Sequence, residues 1–231
     1  MPNWRIHLAA CDKLAESYDM NNKLDAFKFG SILPDMPWSM SDTGIFDSGY
    51  NTEEHRKLHY NLETPADVVA ISDYHAYWNP RKLKIVESIV RQGYLFHLIL
   101  DCCFNEKYNQ IVERDASGNY VVKTYSGVDI VKESRDDFMQ LKWRDAYAYA
   151  SELPYCPIEF AYILNSDIFS AQEVVSKAKL NAEEIVKHIN AVAYNVTYQR
   201  YIVFAKGQYD GIVNNAIKLF KSLIESEKVK V

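Results

Sequence analysis

Between Arg81 and Asn105 the chain reads RKLKIVESIVRQGYLFHLILDCCFN, and this stretch constrains the fold more than any other. Its first half is amphipathic at helical spacing; its second half, from Tyr94 to Phe104, is apolar almost all round. A helix that hides every face needs neighbours on all sides, so it belongs at the centre of a bundle. The pattern predicts one helix over 81–105, starting after Asn79-Pro80. Within it His97 and Asp101 stand four residues apart and project from one face. An ionised Asp in such a helix needs a partner, because burying it alone costs several kcal/mol. Two readings follow from this pair: a buried His–Asp hydrogen bond that fixes packing, or ligation of a metal ion.

The elements around it are also helical. Trp4, Leu8, Cys11, Leu14 and Ala15 recur at three- and four-residue spacing, predicting an amphipathic helix over about 4–18 with His7 at the edge of its apolar stripe. A second helix, about Lys23 to Phe29, reaches Gly30 and then Pro34 and Pro37, which leaves Asp35 on a stiff turn before a loop, DMPWSMSDTGIFDSG. Helical character returns from Thr52 to about Leu62, and again at about 132–151, 170–198 and 208–227. In the first of these three, Trp143, Tyr147 and Ala150 are predicted on one side; in the last, Ile212, Ile217, Phe220, Leu223 and Ile224. The alternation in IVERDASGNYVVKTYSG around Ser117-Gly118-Asn119 predicts a β-hairpin near residues 111–127, the one clear strand signal. The fold class expected is mostly α: a single domain over 1–231, six to eight helices in a bundle, with one inserted β-hairpin.

Composition narrows the function. With 26 Lys plus Arg against 31 Asp plus Glu, the formal charge of −5 has the wrong sign for a surface built to hold a phosphate backbone, and there is no strong nucleic-acid signal. The four cysteines, Cys11, Cys102, Cys103 and Cys156, form no C-x-x-C pair and suit neither a zinc ribbon nor a disulfide framework. Charges at Arg5, Asp12 and Lys13 exclude a signal peptide at the N-terminus as written, and no segment approaches a transmembrane span. A cytoplasmic protein is expected. G-x-G-x-x-G, P-loop and G-x-S-x-G signatures are missing, which removes the usual warrants for dinucleotide binding, P-loop NTP hydrolysis and serine esterase action.

The six histidines carry most of the remaining chemistry. His55 and His59 form H-x-x-x-H, but Arg56, Lys57 and Leu58 lie between them where a zincin needs its Glu, so a metalloprotease is excluded. The charged run EEHRK turns His55 to solvent and Leu58, His59 and Tyr60 inward, leaving His59 as either a core residue or a ligand. Asp35, held by Pro34, reads as a turn cap or a ligand. His75 reads as an aromatic neighbour of Tyr74, Tyr77 and Trp78, and His188 as a surface or core residue. Cys102 and Cys103 receive no catalytic role, since an apolar helix raises a thiol's pKa. The 17 tyrosines are read mainly as core.

Taken in order, W-x-x-H at Trp4 and His7, F-x-x-G-S-I-L-P-D from Phe27 to Asp35, L-H-Y at 58–60 and G-Y-L-F-H-L-I-L-D from Gly93 to Asp101 form a series. Over roughly residues 4–105 it resembles the zinc-dependent phospholipase C-like family, to which the S1/P1-type nucleases are more distantly related. The resemblance implies a metal site built from His7, Asp35, His59, His97 and Asp101, with Asp101 able to bridge two ions. Three His and two Asp suit Zn²⁺, with Mn²⁺ or Fe²⁺ as alternatives, in one or two positions about 3.5–4 Å apart. The phospholipase has a further His after H-x-x-x-D and a later His and acidic pair. Here FNEKYNQ and SRDDF stand in those regions, with Asn105 and Asp137 as the nearest candidates, and three residues precede Trp4.

The function expected is therefore a metal-dependent hydrolase of phosphate esters, a phospholipase C-like phosphodiesterase. A metal-activated water would be the nucleophile, Asp35 a further base or water-orienting group, and the substrate a small or lipid-derived phosphate ester. The alternatives are a metal-stabilised helical binding domain without chemistry, and a nuclease using the same site.

Overall fold

The computed structural model describes residues 4–20, 22–35, 53–62, 69–154, 156–159, 182–194 and 200–229. At its centre is helix α6 (Ile89–Asn109), in which every residue from Gln92 to Asn105 is buried. It is preceded by α1 (Trp4–Ala15), α2 (Leu24–Ile32) with a 3-10 turn at Leu33–Asp35, α3 (Glu53–His59), α4 (Tyr74–Trp78) and α5 (Lys82–Glu87). After it come α7 (Arg135–Glu152), α8 (Ala182–Tyr194) and α9 (Lys206–Lys228). The protein is mostly α, as expected. Residues 36–52, with most of the predicted loop, and residues 160–181 lie outside the described residues.

The central helix is shorter at its start than the pattern predicts. Ser88 takes an extended conformation (φ −120°, ψ 114°), and its side chain accepts the Arg91 N–H, so α5 ends and α6 begins with an N-cap. A serine competes with the helical backbone for hydrogen bonds, and here the cap prevails over the continuous apolar pattern.

α6 packs against both α2 and α9. The α2 contact is close because Gly30 and Gly93 face the opposite backbone: a Cβ on Gly30 would lie 2.1 Å from the Val90 carbonyl oxygen, and one on Gly93 2.1 Å from that of Phe27. Phe27, Phe96 and Phe220 join α2, α6 and α9 through ring contacts at 5.4–5.7 Å. Such aromatic clusters bury large areas and fix the helices' relative positions.

The inserted strands number three, one more than the hairpin expected near 111–127. β3 (Val112–Arg114), β4 (Tyr120–Lys123) and β5 (Asp129–Lys132) form an antiparallel sheet in that order. Asp115 accepts the Ser117 and Asn119 N–H groups in the first turn, where Gly118 has φ +83°. Tyr120 stacks on Phe138 of α7 at 5.5 Å, seating the sheet on the bundle. A two-residue ladder, β1 (Asn61–Leu62) against β2 (Ile71–Ser72), was too short to leave a period in the sequence.

The buried face of α7 also differs from the prediction. It carries Phe138, Leu141, Lys142, Asp145, Ala146 and Tyr149, while Tyr147 is exposed and Trp143 half-buried. Asp145 accounts for its own burial: its carboxylate accepts the N–H groups of Ile202, Val203 and Phe204 and the Tyr209 hydroxyl at 2.5–3.0 Å.

Candidate metal centre

Four segments bring five ionisable side chains together: His7 from α1, Asp35 from the turn after α2, His59 from the end of α3, and His97 and Asp101 from α6. All five are at most 1% exposed. His59 Nε2 lies 3.0 Å from His97 Nε2, 3.1 Å from Asp35 Oδ1 and 3.5 Å from Asp101 Oδ2. His97 Nε2 is 3.7 Å from Asp35 Oδ1 and 3.5 Å from Asp101 Oδ2. His7 stacks on the His97 ring at 4.1 Å and directs Nε2 to the other oxygen, Asp101 Oδ1, at 3.4 Å.

His97 and Asp35 are held from behind, and the backbone beside His59 is tied in place. The Ser31 carbonyl oxygen is 2.6 Å from His97 Nδ1; a carbonyl only accepts, so Nδ1 carries a proton and Nε2 faces the cluster, where it can ligate a metal. The Gly30–Gly93 approach brings that carbonyl into reach. Trp4 donates its indole N–H to Asp35 Oδ2 at 2.8 Å, leaving Oδ1 turned inward. The Tyr94 hydroxyl donates to the Leu58 carbonyl at 2.7 Å, tying the end of α3 to α6 beside His59. Directly after His59, Tyr60 takes the left-handed conformation (φ 51°) as the chain turns into β1.

Electrostatics matches this convergence. Burial, with the charge of His97 adding to it, pushes His7 down to about 4. Burial also opposes charge on His97, yet Asp101 and Asp35 outweigh it and hold His97 above the ordinary histidine range. For Asp35 and Asp101, burial favours the neutral acid, but His97 and the neighbouring imidazoles hold both carboxyls below the usual range, Asp101 well below. The cluster therefore favours a cation at its centre.

A metal ion fits these residues. His7 Nδ1 and Nε2, Asp35 Oδ1 and both oxygens of Asp101 are buried without hydrogen-bond partners, a costly state that coordination removes. Two groups of donor atoms can hold an ion, His7–His97–Asp101 and Asp35–His59–His97. Tetrahedral zinc with N and O ligands separates neighbouring donors by about 3.3–3.6 Å, close to the spacings around His59 and His97.

The other candidates lie elsewhere. Asn105 continues the row of His97 and Asp101 along α6, but its amide donates to the Ala70 carbonyl and accepts from Lys142 Nζ. Asp137 is exposed in the first turn of α7, where the N-cap Ser134 accepts its backbone N–H and donates to its carboxylate. His75 is exposed and packs on Tyr74 at 4.2 Å. The side chains of His55 and His188 lie outside the described residues. Burial raises the Cys102 and Cys103 thiols, Cys103 to about 12, far from a reactive thiolate. Sequence reasoning gave no part to Ser31, Tyr94 or the two close-approach glycines, although both glycines stand inside the motifs it singled out.

A family model described as zinc dependent phospholipase C matches residues 5–156, a span that contains all five clustered side chains. The chain belongs to that family. It is thus a metal-dependent hydrolase by family, with zinc as the family's metal. No curated protein and no solved structure matches the chain. Among the described residues, no helix is long and apolar enough to cross a membrane.

Proposed function

We propose that this zinc-dependent phospholipase C family member cleaves a phosphodiester of a lipid-derived substrate, using a site in which Asp101 serves two metal positions. The observation that carries the reading is the division of Asp101: Oδ1 faces His7, while Oδ2 faces His59 and His97. Asp35, His59, His97 and Asp101 Oδ2 make a four-donor position; His7 and Asp101 Oδ1 give two donors to a second. One imidazole nitrogen cannot serve both, so His97 belongs to the fuller set.

Zinc held there would supply Lewis acidity, lowering the pKa of a bound water towards neutral and offsetting charge on the phosphoryl group. The chain's own residues do the rest. Asp35 would give one lone pair of Oδ1 to the metal and with the other would accept a hydrogen bond from the attacking water, orienting it. Its lowered pKa suits it to orienting water rather than retaining the proton. Trp4 keeps that carboxylate from rotating, and Ser31 keeps the His97 ring in the ligating tautomer. The stacked His7 excludes bulk water from the α1 side of His97.

The test is turnover by zinc-loaded protein of phosphatidylcholine vesicles, read as diacylglycerol release, and of bis-p-nitrophenyl phosphate. Activity that His97→Ala and Asp101→Ala each abolish supports the reading. Full zinc occupancy without turnover of either substrate overturns it and leaves a zinc-stabilised binding domain.

A further inference from the structure

Two lysines are buried among the described residues, Lys28 and Lys142. Lys28 is explained by its ion pair with Asp12 at 2.6 Å. Lys142, 1% exposed, has no carboxylate within ion-pair distance among the described residues. Its ammonium donates to Asn105 Oδ1 at 2.6 Å and lies 5.2 Å from the centre of the Tyr108 ring. Both partners are neutral. They orient the charge without cancelling it, and a buried charge without a paired counter-charge is costly to hold.

Its position gives the charge a use. His97, Asp101 and Asn105 follow one another at four-residue steps on one face of α6, and the Lys142 ammonium stands at the end of that row, against Asn105. Four residues of helix, about 6 Å of rise, separate consecutive members. Asn105 cannot turn away, because its other amide atom is engaged with Ala70. Burial lowers the Lys142 pKa to about 8, and the charge of Asp101 acts in the opposite direction. A phosphoryl group at the metal centre presents further oxygens to its surroundings, and an ammonium with three N–H donors, one of them committed to Asn105, is suited to receive one.

We propose that Lys142 is the anion-binding partner of the metal centre, donating to a phosphoryl oxygen of the bound phosphate ester while Asn105 holds it in place. This rests on the phosphate-ester reading above. The probe is inorganic phosphate, titrated by calorimetry into zinc-loaded wild type and Lys142→Met, with zinc per chain measured on both. The expected result is unchanged zinc content with phosphate binding roughly 10- to 100-fold weaker in Lys142→Met. Equal phosphate affinity in the two proteins overturns the Lys142 assignment alone. Wild type that carries zinc but neither binds phosphate nor turns over a phosphodiester overturns the underlying reading. Should Lys142→Met fail to fold, the structure of zinc-loaded wild type with phosphate decides: an oxygen within hydrogen-bond distance of Nζ supports the assignment, and phosphate held only by zinc contradicts it.

Discussion

His59 and His97 face each other across 3.0 Å, Nε2 to Nε2, with Asp35 Oδ1 3.1 Å from the first of them. Without a metal, Asp35 Oδ1 and both Asp101 oxygens are buried with no hydrogen-bond partner, a costly state that coordination relieves. Binding to the folded state alone therefore stabilises it. At metal concentrations about a thousandfold above Kd the gain is about 4 kcal/mol, so chelation is predicted to lower Tm by roughly 10 °C. Calorimetric melting before and after chelation, with re-addition of zinc as the control, checks this; an unchanged Tm contradicts it.

Trp4 acts on the site without touching its centre. Trp4→Phe removes the donor to Asp35 Oδ2 and lets the carboxylate rotate. Loss of such an outer partner costs roughly 10- to 100-fold in metal affinity. Competition with a chromophoric chelator should place Trp4→Phe in that range; an affinity equal to wild type would remove Trp4 from the account.

The α2–α6 contact sets the position of the Ser31 carbonyl and thus of His97. Gly93→Ala would place a methyl group 2.1 Å from the Phe27 carbonyl oxygen, so the helices must part. A destabilisation of about 3 kcal/mol is predicted by chemical denaturation, with weaker zinc binding in whatever protein folds. Gly118→Ala, where nothing lies within 4 Å but φ is +83°, separates a conformational cost from a packing one: it should leave zinc affinity unchanged.

Burial holds the Lys142 pKa at about 8, against 10.5 for an ordinary lysine. Between these values the unfolded chain binds the proton and the folded protein does not, so this residue's contribution to stability rises with pH. Relative to Lys142→Met, wild type should gain on the order of 3 kcal/mol between pH 8 and pH 10.5, measured by denaturant unfolding at each pH. A difference that stays flat across this window would show that the ammonium is not desolvated.

The parts of the structure legible in the sequence are those written in apolar spacing. The buried run from Gln92 to Asn105 followed from a pattern apolar on every side, and the turn position of Asp35 from Pro34 and the end of a helix. What spacing could not give was contact between elements. His7, His59 and His97 are 38 or more residues apart from one another, and their convergence depends on helix–helix approaches that glycines permit. The face of α7 was misread for a related reason: Lys142 and Asp145 count as polar in any periodicity, yet both are buried, one against Asn105 and one against backbone N–H groups from a distant loop. Ser88 illustrates the opposite limit, a single local cap overriding a long apolar pattern.

The most direct test is metal identity and count, obtained by elemental analysis of the protein purified with zinc and by anomalous scattering from its crystals. The account predicts at least one zinc per chain, ligated by Asp35, His59, His97 and Asp101, and lost in both His97→Ala and Asp101→Ala. Folded protein whose crystals show no metal at this cluster after zinc loading, or zinc held by other residues, would contradict it.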